Sequence, residues 1–196
     1  MADRSDIEAI EQWMRTFGWE PEHALHVRDL VLQFFDQLRP LHGLDEEARW
    51  VLEAAAVVHD IGFSIDDVKH HKHSYKLIRA GEFPGFQPSQ QEVIANLARY
   101  HRKAHPKPTH KGFARLSTEN RELVQRLAPL LRLADGLDRS HTASVRTVDC
   151  RLHGRRLVVG VSGAGEVGFD VWGAQRKRGL FEEVYGLEVV LAHSQD

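Results

Sequence analysis

Apolar residues recur every three to four positions through most of the first 140 residues, and this spacing places them on one face of an α-helix. Residues 27–38 show the pattern clearly, and Pro40 follows them as a helix breaker. Comparable apolar stripes lead up to His59, His101 and Asp135. The pattern therefore predicts a set of amphipathic helices that carry polar residues at several inward positions.

From about residue 145 the apolar period changes to two, which is typical of β-strands. Residues 148–152 and 157–161 predict a hairpin around His153-Gly154, residues 167–171 a third strand, residues 174–185 a helix and residues 187–191 a last strand. We therefore predict a mainly α fold. A helical core spans residues 1–143, and a small α/β appendage spans residues 144–196 and packs on it as part of a single compact unit.

The composition excludes several functional classes. Of 196 residues, 42% are hydrophobic and 28% charged, as in ordinary globular proteins. No apolar run approaches the roughly 18 residues of a membrane span, and the N-terminus lacks the pattern of a secretory signal, so we expect a cytoplasmic protein without a membrane partner. The net charge of −2 argues against a nucleic-acid partner, although basic residues at 99–111 could attract a smaller anion.

Strong metal ligands stand where the apolar period predicts buried side chains, and a further one lies at the edge of such a stripe: His26, His59, Asp60, His73, His101 and Asp135. Burying so many polar groups without partners would cost several kcal/mol each. Cys150 is the only cysteine, so a thiolate cluster is excluded, and imidazole with carboxylate suits iron, manganese, cobalt, nickel or zinc alike. Asp135 also falls near a helix C-terminus, where the macrodipole disfavours a negative charge unless a cation compensates.

A single histidine on a helix is more often a structural or surface residue than a metal ligand. We assign that role to the histidines that lie in connections or off the apolar stripes: His23, His42, His70, His71, His105 and His110. The metal hypothesis depends on the coincidence of the six inward residues and on no single one of them.

Several segments resemble a known family. The order His, His-Asp, Asp is similar to that of the HD superfamily of helical metal-dependent phosphohydrolases. A closer resemblance, from about residue 19 to residue 192, is to the C-terminal HD-like domain of the exopolyphosphatase/guanosine pentaphosphate phosphatase (Ppx/GppA) family, and it is carried by residues 59–62, 71–75, 83–86, 100–103 and 133–139. It implies an HD-type core with two metals: His26, His59, Asp60 and Asp135 hold one, and Asp60 bridges to a second that is held by His73 and His101.

The resemblance implies a phosphohydrolase that cleaves a phosphate ester or anhydride of a nucleotide-like or polyphosphate substrate with a metal-activated water. The actin-like region in which that family hydrolyses polyphosphate has no counterpart in these 196 residues. Asp60 is the candidate catalytic bridge, and Arg102, Lys103 and Arg139 are candidates to bind phosphate oxygens, although an exposed ion pair of Arg139 with Asp138 would explain Arg139 equally well.

Two other functions stay open at this stage. The first is a non-catalytic module that binds polyphosphate or a guanosine polyphosphate, and the second is a structural protein whose core histidines are satisfied by ordinary hydrogen bonds. The alternating strands of the appendage are also compatible with a homodimer.

Overall fold

The structure, a computed structural model, describes residues 3–18 and 21–193. In these ranges the first 136 residues form eight α-helices with one 3₁₀ turn, Ile61–Ser64, between the fourth and the fifth. The helices are α1 (Arg4–Arg15), α2 (Pro21–Gln37), α3 (Arg39–His42), α4 (Glu46–Val58), α5 (His70–Ala80), α6 (Pro88–Tyr100), α7 (Lys111–Ala114) and α8 (Thr118–Gly136).

Helix α4 is the centre of the bundle and packs against α1, α2, α6 and α8. Its start is set by Asp45, whose side chain accepts a hydrogen bond from the backbone N–H of Ala48. Residues 51–58 are almost entirely apolar and fully buried, as expected for a helix surrounded on all sides. Because the helix ends at Val58, it delivers His59 and Asp60 to the middle of the protein.

The C-terminal part contains a three-stranded sheet, made of β1 (Val145–His153), β2 (Arg156–Gly163) and β3 (Glu188–His193), with helices α9 (Gly168–Lys177) and α10 (Gly179–Tyr185) between β2 and β3. The strand order is β1-β2-β3; β1 and β2 are antiparallel, whereas β2 and β3 are parallel. Gly154 turns the hairpin with a φ of 58°, a value that glycine adopts readily. The mainly α fold with a small α/β appendage is thus confirmed.

The predicted third strand is wrong, because residues 168–177 form helix α9. Val167 and Val171 are buried whereas Phe169 is 54% exposed. The two valines are four residues apart, so they fit one face of a helix as well as one face of a strand. The order in the appendage is therefore strand, strand, helix, helix, strand.

Two glutamines join the appendage to the helical part. Gln37 of α2 donates from Nε2 to the carbonyl of Val148 (2.8 Å) and accepts at Oε1 from the N–H of Cys150 (2.8 Å). Gln33, one turn earlier, bonds the same strand in the same manner. Since β1 is an edge strand, these side chains satisfy backbone groups that would otherwise lack a partner. The division between residues 143 and 144 itself stays a prediction.

Helix α8 positions the last polar residue of the core. Ser117 caps its start by accepting from the N–H of Asn120, and Gly136 is its last residue, so Asp135 lies in the final turn. None of the helices within residues 3–18 and 21–193 combines the length and apolar composition that a bilayer span needs.

Candidate metal centre

Asp60 stands between two pairs of buried histidines. Its Oδ2 lies 3.6 Å from Nε2 of His23 and 3.5 Å from Nε2 of His59. Its Oδ1 lies 3.4 Å from Nε2 of both His70 and His101. One carboxylate therefore faces four imidazole nitrogens that come from α2, α5 and the ends of α4 and α6.

Three of these rings are held in the same way. In each, Nδ1 donates to the backbone carbonyl three residues earlier, at the end of a helix or at its first turn. The bonds are all 2.7 Å long and join His59 to Ala56, His70 to Asp67 and His101 to Ala98. A neutral ring that donates from Nδ1 presents an unshared pair at Nε2, so the backbone itself aims three lone pairs at Asp60.

The fourth ring, His23, is oriented by a carboxylate. Its Nδ1 lies 2.8 Å from Oδ2 of Asp138, which is 1% exposed and also accepts from the N–H of Ala143. Burial lowers the pKa of His23, but the nearby carboxylates of Asp135, Asp138 and Asp60 outweigh it and raise this pKa to about 10. The carboxylates thus create a strong local preference for a cation at this position.

Asp135 completes the first histidine pair, because its Oδ1 lies 3.6 Å from Nε2 of His23 and 3.9 Å from Nε2 of His59. Its other oxygen accepts a hydrogen bond from the ammonium of Lys177 on α9. Burial raises the pKa of Asp135, but Lys177 and the surrounding histidines hold it well below its usual range. Burial conversely lowers the pKa of His70 and His101, so both rings are neutral, which is the state that binds metal.

The residues fit a divalent cation on the evidence of their unpaired atoms. Eight buried side-chain nitrogen or oxygen atoms of the described residues lack a hydrogen-bond partner. Three of them, Nε2 of His23, Nε2 of His59 and Oδ1 of Asp60, meet at this centre, and each such unpaired atom costs about 1–3 kcal/mol. Ligand atoms of His23, His59 and Asp60, and separately of Asp60, His70 and His101, lie within 4.8 Å of one another. Nitrogen and oxygen donors of this kind suit divalent transition metals.

Four residues of the centre, Asp60, His70, His101 and Asp135, form the floor of a cavity of about 420 Å³. Six basic residues of the described part of the chain line it, and three of them are predicted from the sequence to bind phosphate. The six are Arg102, Lys103, Arg132, Arg139, Arg176 and Lys177. Asp60 and Asp135 are the acidic residues of this lining. The walls therefore attract anions toward a floor that attracts cations.

Four of the six predicted ligands come together, namely His59, Asp60, His101 and Asp135. The structure does not bring His26 or His73 into the two candidate ligand groups, and His23 and His70 stand there in their place. Each replacement is three residues earlier on the same helix. Positions three apart share one helix face, so the apolar period alone cannot tell them apart. His73 instead faces Asp66 at 3.8 Å.

Other residues of the site were missed or misassigned. Asp138 is buried against His23, not exposed in an ion pair with Arg139. His141 lines the cavity and stacks on the ring of His23 at 4.0 Å. Trp172 and Lys177 reach the cavity from α9. No local pattern points to these four residues, because each depends on contacts between distant parts of the chain.

Comparisons with known proteins bear on the identity of the chain. Residues 7–160 match the family model described as Ppx/GppA phosphatase, domain III. A guanosine-5'-triphosphate,3'-diphosphate pyrophosphatase of Pseudoalteromonas translucida (strain TAC 125) is 30% identical over 138 residues, which are 66% of this chain and 26% of that protein. A protein of the same name from Aeromonas salmonicida (strain A449) is 35% identical over 79 residues, 40% of this chain and 16% of that protein.

The chain thus spans about a quarter of the length of the first relative and less of the second. The family match is consistent with the resemblance to the HD superfamily. Because the family model covers well over half of the 196 residues, the chain belongs to the Ppx/GppA phosphatase family and corresponds to its domain III.

Proposed function

We propose that this chain is a metal-dependent phosphohydrolase that cleaves a phosphate ester or anhydride of a nucleotide-like or polyphosphate substrate. The observation that carries the proposal is the shared carboxylate of Asp60, which faces four histidine nitrogens and lines a basic cavity. Relatives named as pyrophosphatases of a guanosine polyphosphate support a phosphorylated substrate. Catalysis by this chain alone is part of the proposal, since those relatives are much longer.

In this proposal one divalent ion is held by His23, His59, Asp60 and Asp135, and a second by Asp60, His70 and His101. The chemistry that such ions supply is polarisation of a phosphoryl oxygen and a lowered pKa of water. The backbone carbonyls behind three of the histidines fix the rings before any ligand arrives. A site that is already ordered loses less entropy on binding than a flexible one does.

The remaining residues bind and orient the phosphate. Arg102 places Nη1 3.1 Å from Nε2 of His70, so its guanidinium lies directly beside the floor of the cavity. A guanidinium binds two phosphate oxygens at once. Lys103 and Arg139 line the same cavity. Positioning and electrostatic stabilisation account for most of the catalysis of phosphoryl transfer, and the basic residues of this cavity would supply both.

The test begins with elemental analysis of protein purified without a histidine tag, followed by phosphate release from nucleotides, dinucleoside polyphosphates and polyphosphate. We expect stoichiometric divalent metal and turnover of at least one of these substrates. Asp60→Ala should lose both metal and turnover, and His26→Ala is the matched control that keeps both.

Two results would refute the proposal: a metal-loaded wild type that is inert on every substrate, or an Asp60→Ala variant that stays active. Tight polyphosphate binding that survives chelation, without turnover, would favour the binding module, for which the basic lining is the supporting observation. The identity and number of the metals, the cytoplasmic location and the homodimer stay predictions.

A further inference from the structure

An exposed aromatic pair stands at the mouth of the cavity. Trp172 lines the cavity and is 46% exposed, and Phe169, one turn earlier on α9, is 54% exposed. Their rings stack with centroids 5.5 Å apart and an interplanar angle of 16°. Large aromatic side chains left in water beside a polar cavity mark a place where a ligand can cover them.

The position of this indole is fixed by a close crossing of two helices. A Cβ atom on Gly173 would lie 2.4 Å from the carbonyl oxygen of Gly136, so α9 contacts α8 backbone to backbone at this point. Arg176 and Lys177, on the same helix as Trp172, also line the cavity. Helix α9 therefore presents one aromatic plane and two cations to the cavity from a rigid support.

The cavity is larger than a phosphate group requires. Its 420 Å³ would hold roughly fourteen water molecules at about 30 Å³ each, whereas a phosphate has only five non-hydrogen atoms. The guanidinium of Arg176 lies 5.1 Å from the indole centroid, so the ring already accepts a planar group on its face. Arg176 is exposed, so it can leave that face and pair with a phosphate oxygen.

We propose that Trp172 is a specificity-determining residue that stacks a planar ring of the substrate. The site would then take a phosphate ester that carries a ring system, such as a nucleoside phosphate, in preference to linear polyphosphate. This inference rests on the proposed function, because it places the phosphate of the same ligand over Asp60. Stacking of a base on an aromatic side chain changes affinity by roughly fivefold to 150-fold.

The experiment compares two ligands with equal numbers of phosphates, guanosine triphosphate and inorganic tripolyphosphate, as non-hydrolysable imido analogues. Calorimetry of the metal-loaded protein gives the affinity for each. In Trp172→Ala the ratio of nucleotide affinity to tripolyphosphate affinity should fall at least about fivefold, and Trp172→Phe should restore most of it. Leu152→Ala is the matched control, since Leu152 is also 46% exposed but does not line the cavity.

A wild type that binds the nucleotide no more tightly than tripolyphosphate would overturn the inference, and so would a Trp172→Ala variant with an unchanged affinity ratio. If this variant loses both ligands equally and also changes from dimer to monomer in light scattering, Trp172 is an interface residue and the inference fails. Phosphate release separates the two proposals. Hydrolysis without ring preference would leave the proposed function standing, and ring preference without hydrolysis would leave this inference standing.

Discussion

Asp138 offers a sharp test of how the metal centre is built, because it touches the proposed ligand His23 without belonging to the ligand groups itself. In Asp138→Asn the Oδ1 atom can still accept from the N–H of Ala143, as it does now at 2.9 Å. The atom that faces Nδ1 of His23, now a carboxylate oxygen at 2.8 Å, becomes an amide nitrogen that donates. Two donors would then face each other.

A His23 that binds metal would be neutral, with its one proton on Nδ1, and in the variant that proton can move to Nε2, the atom that lies 3.6 Å from Asp60. That proton would occupy the lone pair needed for a metal. Loss of such an orienting carboxylate costs about 10–100-fold in metal affinity, which corresponds to roughly 1.4–2.8 kcal/mol. We expect Asp138→Asn to weaken binding of the metal that His23, His59, Asp60 and Asp135 would hold by this amount, while the fold stays intact.

Competition with a chromophoric chelator measures the affinity, and thermal unfolding of the metal-free protein checks the fold. Asp149→Asn is the control, because Asp149 is an exposed residue that pairs with Arg151 on the surface. An Asp138→Asn variant that binds metal within twofold of the wild type would refute the reasoning that Asp138 sets the state of His23.

Three further predictions follow from the same geometry. His70→Ala should lower the bound metal by about one equivalent, whereas His73→Ala should leave the metal content unchanged; elemental analysis of the two variants, side by side, decides between the positions. Burial raises the pKa of the Cys150 thiol to about 12, so the thiolate, which is the reactive form, should be scarce at pH 8. Alkylation of Cys150 should therefore be slow in the folded protein and should become faster as the pH rises toward about 12. Fast labelling at pH 8 without unfolding would contradict this. Gly173→Ala should force α9 away from the carbonyl of Gly136 and lower the free energy of unfolding by about 1–3 kcal/mol, measured in urea; an unchanged midpoint would show that the crossing tolerates a methyl group.

The sequence predicted most of the helical fold because each long helix carries its own signals. Apolar period and N-caps are local, and α4 and α8 show both of them. His59, Asp60, His101 and Asp135 were predicted for the same reason, since each stands at or next to the C-terminal end of a helix whose apolar face is unambiguous.

The sequence could not predict which turn of α2 or α5 places its histidine beside Asp60. His23 and His26, like His70 and His73, lie on one face of their helices. Which of them reaches Asp60 depends on how far α2 and α5 slide along α4 and α6, and this is set by packing between residues distant in sequence. The prediction of a third strand was wrong because Val167 and Val171 fit both a helical period and a strand period.

The sequence by itself thus determined the types of ligand, the helices that carry them and the chemistry that histidine and carboxylate can support without a thiolate. Only the tertiary structure decided which histidines face Asp60, that Asp138 lies behind His23, and that α9 brings Trp172 and Lys177 to the same cavity. Periodicity reports the face of a helix relative to its own axis. The site depends on the positions of several axes relative to one another, which arise only when the helices pack.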